Sequence, residues 1–497
     1  MENSKKRLKN SSSVSGAIAS SAVTSSILIS GTETSTHLLV LQLNAFLSKH
    51  LKQDSSPQLL LALSGGLDSC VLLHLLVEAR KQLVKAGCAF PFELHAMHIH
   101  HGLSTNADRW ADFCLNQCQL LNVPLQIVHV NVTKNPSSGI EAAARLLRYE
   151  ALFNYRLDAK RFSEDMPVTE VLPDFVVTAH HQDDQAETLL LQMFRGAGVK
   201  GLSSMAAVDI IRRLLRPLLN ISRKELHEYA VLNAIQWCDD ESNDNTHYER
   251  NFIRHEVMPI LESRYPAVKS VLARTASHLA EANDLVDTLA AMDAEPLLKD
   301  NSLCLQGLSA LDVPRAKNVL RWWFSLNRLA MPSSEHLSEI IQQLLNAKPD
   351  ANLSIQLQHL TLRRFQQRAY LCREKIAQAF DLVWNGEPQL MLPNGGQLQF
   401  KQVTGAGLAL KFGMTKLRIT NRDGGERFKP NVLRPTRTLK HLLQEANIPP
   451  WQRAYLPLIY WHDTLACVPG IGVAHELQAT EHELGIEITW QDTPFNT

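Results

Sequence analysis

Two short stretches carry residue types able to act on a phosphoryl group. The first is Ser64-Gly65-Gly66-Leu67-Asp68-Ser69. Adjacent glycines let the backbone turn tightly and approach a ligand with no Cβ in the way. A helix starting directly after them offers free N–H groups and a positive dipole end, an anion site that suits phosphate. No Gly-Lys-Ser/Thr closes the stretch, so it is not a Walker loop. Nor is it a Gly-x-Gly-x-x-Gly dinucleotide turn. Asp68 is an odd choice for phosphate alone. A carboxylate makes sense there if a divalent cation sits between it and the phosphates. The plain alternative is a glycine-rich strand-to-helix turn.

The second stretch is Thr178-Ala179-His180-His181-Gln182-Asp183-Asp184-Gln185-Ala186-Glu187-Thr188. Two histidines and two carboxylates stand at a strand end, with a third carboxylate one helical turn on. Asp184 and Glu187 share a face at i, i+3. Such a set could hold zinc. The competing reading is a capping box, Asp184 capping the helix and Glu187 supporting it. Capping alone leaves His180, His181 and Asp183 unexplained.

Three further clusters are weaker. Arg145 and Arg148 share a helix face within Gly139–Tyr149 and suit phosphate or carboxylate, or else form a solvated face paired to Glu141. Arg195-Gly196-Ala197-Gly198, with Gly201 beyond, is a close-packed loop or an ordinary helix-ending turn. Asp239-Asp240-Glu241-Ser242-Asn243 precedes Arg250 and Arg254, which lie on one helix face. A plain ion-pair network explains that pattern equally well.

The elements that must hold these groups follow from hydrophobic patterning. Leu59–Leu63 is a continuous apolar run, as in a strand buried on both faces. Val71, Leu72, Leu75 and Leu76 predict a helix after it. An opening helix is predicted over His37–Leu51, and strands over Phe92–Ile99, Leu125–Val130 and Phe175–Ala179. Helices are predicted over Asn106–Leu121, Gly139–Leu157 and Asp184–Phe194. Strands alternating with helices predict a parallel, doubly wound sheet, whose ligands bind at the carboxyl ends of the strands. The informative stretches all fall at such ends. From Arg254 the strand signal fades. Ala267–Leu298 and Val313–Leu345 read as helices, with Trp322, Trp323 and Phe324 between them, and Asn352–Arg373 alternates like strands. Beyond Gly386, Pro393-Asn394-Gly395-Gly396 marks a hairpin, and Thr438–Ala446 a helix.

The Ser-Gly-Gly-Leu-Asp-Ser loop resembles that of the PP-loop ATP pyrophosphatases, which transfer AMP to a substrate oxygen and release pyrophosphate. The clusters above, in this order, closely resemble the tRNA(Ile)-lysidine synthases. So do His100-His101-Gly102-Leu103 with Asn106-Ala107-Asp108-Arg109-Trp110, although many members carry arginine where this chain has Ser104. The likeness resumes in Arg422-Asp423-Gly424-Gly425-Glu426, Leu439-Lys440 and Gln444–Arg453. It covers all but the N-terminal tail. It implies an α/β fold with a doubly wound parallel sheet of the PP-loop, adenine nucleotide α hydrolase-like kind at 36–240. A mostly helical substrate-binding domain at 241–375 and a small α+β tRNA-binding domain at 386–497 would follow, with 1–35 a disordered tail.

The resemblance further implies ATP, Mg²⁺, L-lysine and an isoleucine tRNA with a CAU anticodon. The wobble cytidine would be adenylated at its C2 oxygen, then attacked at C2 by the lysine ε-amine. Ser64, Gly65, Gly66, Leu67, Asp68 and Ser69 would hold ATP, and Asp68 the metal. Arg145 and His180 would stabilise the adenylate. Asp183, Asp184 and Glu187 are unranked candidates for the base that an ammonium nucleophile needs. Arg250 and Arg254, with Arg422, Arg427, Lys429, Arg434, Arg437 and Lys440, would meet tRNA.

Composition allows this. The 497 residues carry 50 basic and 50 acidic side chains, so any nucleic-acid footprint must be local. Lys411–Lys440 holds nine basic residues against Asp423 and Glu426. Hydrophobic content of 45% supports a core without disulfides, and eight scattered cysteines fit a reduced cytoplasmic setting. No membrane span is predicted. The oligomeric state stays open, a homodimer among the options. Competing readings are another PP-loop tRNA-modifying enzyme, such as a thiolase, a GMP-synthetase-like amidotransferase, or a tRNA-binding protein with a relic nucleotide site. A cluster-bearing thiolase would want Cys-x-x-Cys, which the chain lacks.

Overall fold

The structure is a computed structural model describing residues 31–51, 55–88, 91–102, 104–131, 140–158, 170–239, 241–348, 353–373, 379–393, 396–413, 416–433 and 435–492. It divides into two units, Met1–Asn283 and Asp284–Thr497. In the first, the elements in chain order are α1 (Gly31–His50), β1 (Gln58–Ala62), α2 (Leu67–Lys85), β2 (Glu93–His100) and α3 (Ala107–Leu120). There follow β3 (Leu125–His129), α4 (Ile140–Asn154), β4 (Phe175–Val177) and α5 (Gln182–Phe194). Then come β5 (Val208–Asp209), β6 (Leu214–Leu215) and α6 (Arg223–Leu232). The expected tail lies outside the described residues up to 30, and α1 begins at Gly31, ahead of the predicted His37.

The sheet order is β3-β2-β1-β4-β6-β5, parallel except for the edge strand β5. The apolar run in β1 is continuous because both its faces are covered. Leu59 and Leu61 pack with α1, α2 and α6 through Leu43, Leu72, Leu76 and Leu226. Leu60 points the other way and packs with Met97, Val176, Leu214 and Leu152 of α4. These are the two helical layers of a doubly wound sheet. The strands β5 and β6 are too short to leave a periodic signal.

The first unit runs past the expected limit at 240. Glu249–Phe252, a π-helical turn Ile253–Val257 and Met258–Arg264 follow one another, and Ile253 and Met258 pack on Ala186 and Leu190 of α5. That apolar contact ties the segment to the nucleotide-type sheet.

In the second unit Trp323 and Phe324 are fully buried, as expected, against Leu337, Ile340 and Leu344. The helices Val313–Leu326 and Ser334–Asn346 also cover a five-stranded antiparallel sheet. The sequence pattern suggested strands only over Asn352–Arg373; Leu298–Lys299 and Ser302–Cys304 complete the sheet. Farther on, two antiparallel sheets and the helix Leu439–Glu445 make the α+β region. The predicted hairpin pairs Leu390 with Leu398; its turn residues Asn394 and Gly395 lie outside the described residues.

Candidate functional site

The glycine-rich loop joins β1 to α2. Gly65 has φ +87°, and a Cβ on it would stand 3.1 Å from Cys114 Sγ, so a larger residue is strained there twice over. Its carbonyl accepts from Cys238 N–H at 2.9 Å. Ser64 Oγ lies 3.0 Å from Ser69 Oγ, and Ser69 Oγ donates to Gly66 O at 3.0 Å. Gly66 is the N-cap of the 19-residue α2, with no side chain capping the first turn. Those first-turn amides therefore remain available to an anion.

Next to the loop, β4 pairs with β1 and leads into the second stretch, so both motifs share one edge of the sheet. His181, 2% exposed, caps α5. Asp184 Oδ2 accepts from the His181 backbone N–H at 3.0 Å, so the capping reading holds, with Asp184 inside the helix instead of at its cap. His181 Nε2 lies 3.5 Å from Asp68 and 3.6 Å from Asp184. Burial alone would lower the His181 pKa; Asp68, Asp184 and Asp183 outweigh it and raise it.

His180 behaves oppositely. Burial, then Arg216, Arg250 and Arg145, push its pKa down to about 3 against the pull of Asp184. Its ring shares a hydrogen bond with Thr178 Oγ1 at 2.9 Å and is neutral at neutral pH. An unfolded histidine protonates near pH 6.5. The folded chain therefore binds fewer protons, and stability falls as pH drops below about 6.5 toward about 3. The imidazole signal of His180 should stay in its neutral position down to pH 5 by NMR. A signal titrating near 6.5 would remove His180 from this environment.

The acidic cluster is not free. Arg254 Nε donates to Glu187 at 2.6 Å and Arg250 Nε at 2.8 Å, while Arg250 Nη2 reaches Asp184 at 2.9 Å. Arg254 Nη2 adds bonds to Glu187 at 2.9 Å and Asp184 at 3.3 Å. Burial would raise the Asp184 carboxyl; His181, Arg250 and His180 hold it down to about 2. Arg250 and Arg254, expected to meet tRNA, have their guanidinium groups on the carboxylates of Asp184 and Glu187. Their four-residue spacing puts both on one face, and the ion-pair network forms with α5 instead of with the acidic turn. Among the described residues no His, Cys, Asp and Glu set has metal-site geometry, which removes the zinc reading.

Three basic groups absent from the sequence reading stand here. Arg223 N–H donates to Asp183 Oδ1 at 3.1 Å, and its Nε lies 4.0 Å from Asp68. Lys269 Nζ lies 3.0 Å from Asp183 Oδ2. Arg216 is buried beside His180. The Ser222-x-x-Glu225 capping box marked the helix that begins with Arg223; nothing local marked Lys269. Arg145 is exposed and lies over the Tyr149 ring, 5.6 Å from its centroid. A cleft of about 460 Å³ is lined by Leu67, Asp183, Glu187, Arg223, Trp237 and Lys269, among others.

The basic C-terminal segment is less positive than its composition. Lys411 pairs with Glu483 at 2.7 Å, Arg418 with Asp381 at 2.8 Å, and Arg437 with Glu445. Arg422 pairs with the buried Glu426, which also accepts from Asp423 and Gly424 N–H. Arg422, expected to meet tRNA, braces this turn. Arg427, Lys429 and Lys440 have no carboxylate partner among the described residues; Arg434 lies outside them.

A PP-loop domain family matches residues 39–261, the TilS substrate binding domain 303–370 and the TilS substrate C-terminal domain 417–490. The tRNA(Ile)-lysidine synthase of Nitrosomonas europaea is 39% identical over 88% of this chain and 93% of its own length. That of Coxiella burnetii is 38% identical over 88% and 94%, and that of Serratia proteamaculans 38% over 90% and 99%.

Proposed function

The chain belongs to the tRNA(Ile)-lysidine synthase family, and on that premise we propose that it joins L-lysine to C2 of the wobble cytidine of an isoleucine tRNA with a CAU anticodon, using ATP. The observation that carries this reading is the shared sheet edge. The uncapped phosphate loop after β1 and the His180–Glu187 stretch after β4 face one crevice. In the first step the cytosine O2 attacks the α-phosphorus, and the bond to pyrophosphate breaks. In the second the lysine nitrogen attacks C2, the C2–O bond breaks, AMP leaves and the nitrogen loses a proton.

Ser64, Gly65, Gly66, Leu67 and Ser69 suit the pyrophosphate part. Asp68 fits a Mg²⁺ ion, because its Oδ1 is buried with no hydrogen-bond partner. Mg²⁺ is held by one or two carboxylates plus substrate phosphates, and it would neutralise phosphate charge there. His180, neutral, can donate or accept a hydrogen bond without placing a cation beside Arg145.

The 460 Å³ cleft supports lysine binding. Arg223, Lys224 and Lys269 suit its carboxylate, Trp237 and Met258 its stem, and Asp183 its ammonium. Asp184 and Glu187 each carry both guanidinium groups, whereas Asp183 is held by the Arg223 N–H and the Lys269 ammonium, and we take Asp183 as the base of the three. Burial would raise its pKa, but Arg223 N–H and Lys269 lower it, so Asp183 accepts the proton only as the C–N bond forms.

Incubation with the tRNA transcript, labelled lysine and ATP tests the function. Label should appear in the wobble nucleoside, with one AMP and one pyrophosphate released per lysine. ATP turnover with no label in the tRNA would sink this reading.

Arg427, Lys429 and Lys440 support tRNA binding by the C-terminal region. Replacing all three by alanine should weaken tRNA binding and reduce its salt slope by about two to three counterions, with AMP affinity unchanged. Titrations over a salt series measure this; an unchanged slope returns these residues to a solvated surface.

A further inference from the structure

Arg216 directly follows β6, the neighbour of the strand that leads into His180. Ligands of parallel sheets bind at this edge. The residue is only 7% exposed. Its Nη1 donates to the Ala206 carbonyl at 2.7 Å, while its Nε is buried with no hydrogen-bond partner. Among the described residues no carboxylate lies within 4.0 Å of it. Arg223, Arg250, Arg254 and Lys269, beside the acidic cluster, each have such a partner. A buried guanidinium without a counter-ion is costly, because water is lost and no opposite charge replaces it. None of its neighbours is a counter-ion in contact: His180 is neutral, Tyr149 offers a hydroxyl, and the Asp209 carboxylate acts on it only from beyond 4.0 Å. The exposed Arg145 adds a second positive charge near His180.

We propose that Arg216 is an anion-binding residue of this site, whose guanidinium takes an oxygen of the nucleotide's α-phosphate. This rests on the reading of the site as one for adenylyl transfer. The glycine loop occupies the end of β1 and serves the pyrophosphate part. Arg216 follows β6, two strand spacings or about 10 Å from β1, with its guanidinium beside the Ala206 carbonyl. An α-phosphate between them meets the loop on one side and Arg216 on the other. A tRNA backbone phosphate shares the chemistry, but the depth of Arg216 below the surface favours the nucleotide. The guanidinium fork suits phosphate in a way that a lysine point charge does not.

Arg216→Met and Arg216→Lys in the full chain test this, with AMP, pyrophosphate and tRNA binding measured separately by calorimetry. Arg216→Met should lose AMP affinity about tenfold or more, with pyrophosphate and tRNA affinities within about twofold of wild type. Arg216→Lys should keep part of the AMP affinity. AMP should raise the melting temperature of the wild type but not of Arg216→Met, while pyrophosphate raises both. AMP binding as tight as in the wild type overturns the proposal. So does loss of tRNA binding in place of AMP, which would assign Arg216 to an RNA phosphate. Parallel loss of AMP and pyrophosphate with a lower unliganded melting temperature would make it a strut for the Ala206 loop. If the methionine variant does not fold, the lysine variant decides by the same comparison. A wild-type protein that binds AMP but transfers no lysine would overturn the proposed function and leave this assignment standing.

Discussion

Asp68→Asn should lower pyrophosphate release at least about a hundredfold while the fold survives. The carboxylate stands in the first turn of α2, with one oxygen near His181 and the other buried without a hydrogen bond. That second oxygen is the one proposed above to take a cation. Asparagine keeps the shape but removes the charge, so the loop can still bind pyrophosphate weakly and the reaction loses its charge neutralisation. Asp68 is about 30% exposed at its side chain, and no part of the apolar core leans on it. Circular dichroism should therefore match the wild type. Release of pyrophosphate with ATP and tRNA is the measurement; a folded variant releasing it at the wild-type rate would remove Asp68 from the chemistry.

The second large effect is on stability. Glu187 is 3% exposed and is bonded by both Arg250 and Arg254. Arg254→Met takes away two of its bonds and leaves buried negative charge under-compensated. Breaking one side of a buried pair costs about 3–5 kcal/mol, and the surviving Arg250 places this case near the lower figure. Pairing Arg254→Met with Glu187→Gln should restore much of the loss, because the unpaired charge goes too. Urea denaturation of both singles and the double gives the coupling energy. A strictly additive double would mean that the two side chains do not act as a unit. The same set separates support from chemistry. If Glu187 were the base, even the folded fraction of Glu187→Gln would transfer no lysine from preformed adenylate. The geometry predicts the reverse emphasis, a destabilised protein whose residual folded fraction still transfers lysine.

Much of the nucleotide half was legible in the residues themselves. Five consecutive apolar residues ending at Leu63 require a strand covered on both faces, and the structure alternates them between two helical layers. Gly65 is required at φ +87° by steric exclusion, a property of the backbone that any fold must respect. The run from Thr178 to Thr188 announced a strand end, a helix start and a polar cluster at once. These features are short-range: period, turn geometry and capping are set by neighbours a few residues away.

What the tertiary structure alone decided is who neutralises whom. Glu187 meets arginines 63 and 67 residues along the chain, and Asp184 meets them 66 and 70 along. The same process set Arg250 and Arg254, expected at the tRNA, against the buried Asp184 and Glu187. It drew Asp381, Glu445 and Glu483 onto a segment whose composition alone is strongly basic. It also enclosed Arg216 with no carboxylate of the described residues within 4.0 Å. Side-chain type says that a charge exists. Only the packing of distant elements sets its distance from an opposite charge and the water left around it, and charge–charge energy depends on both.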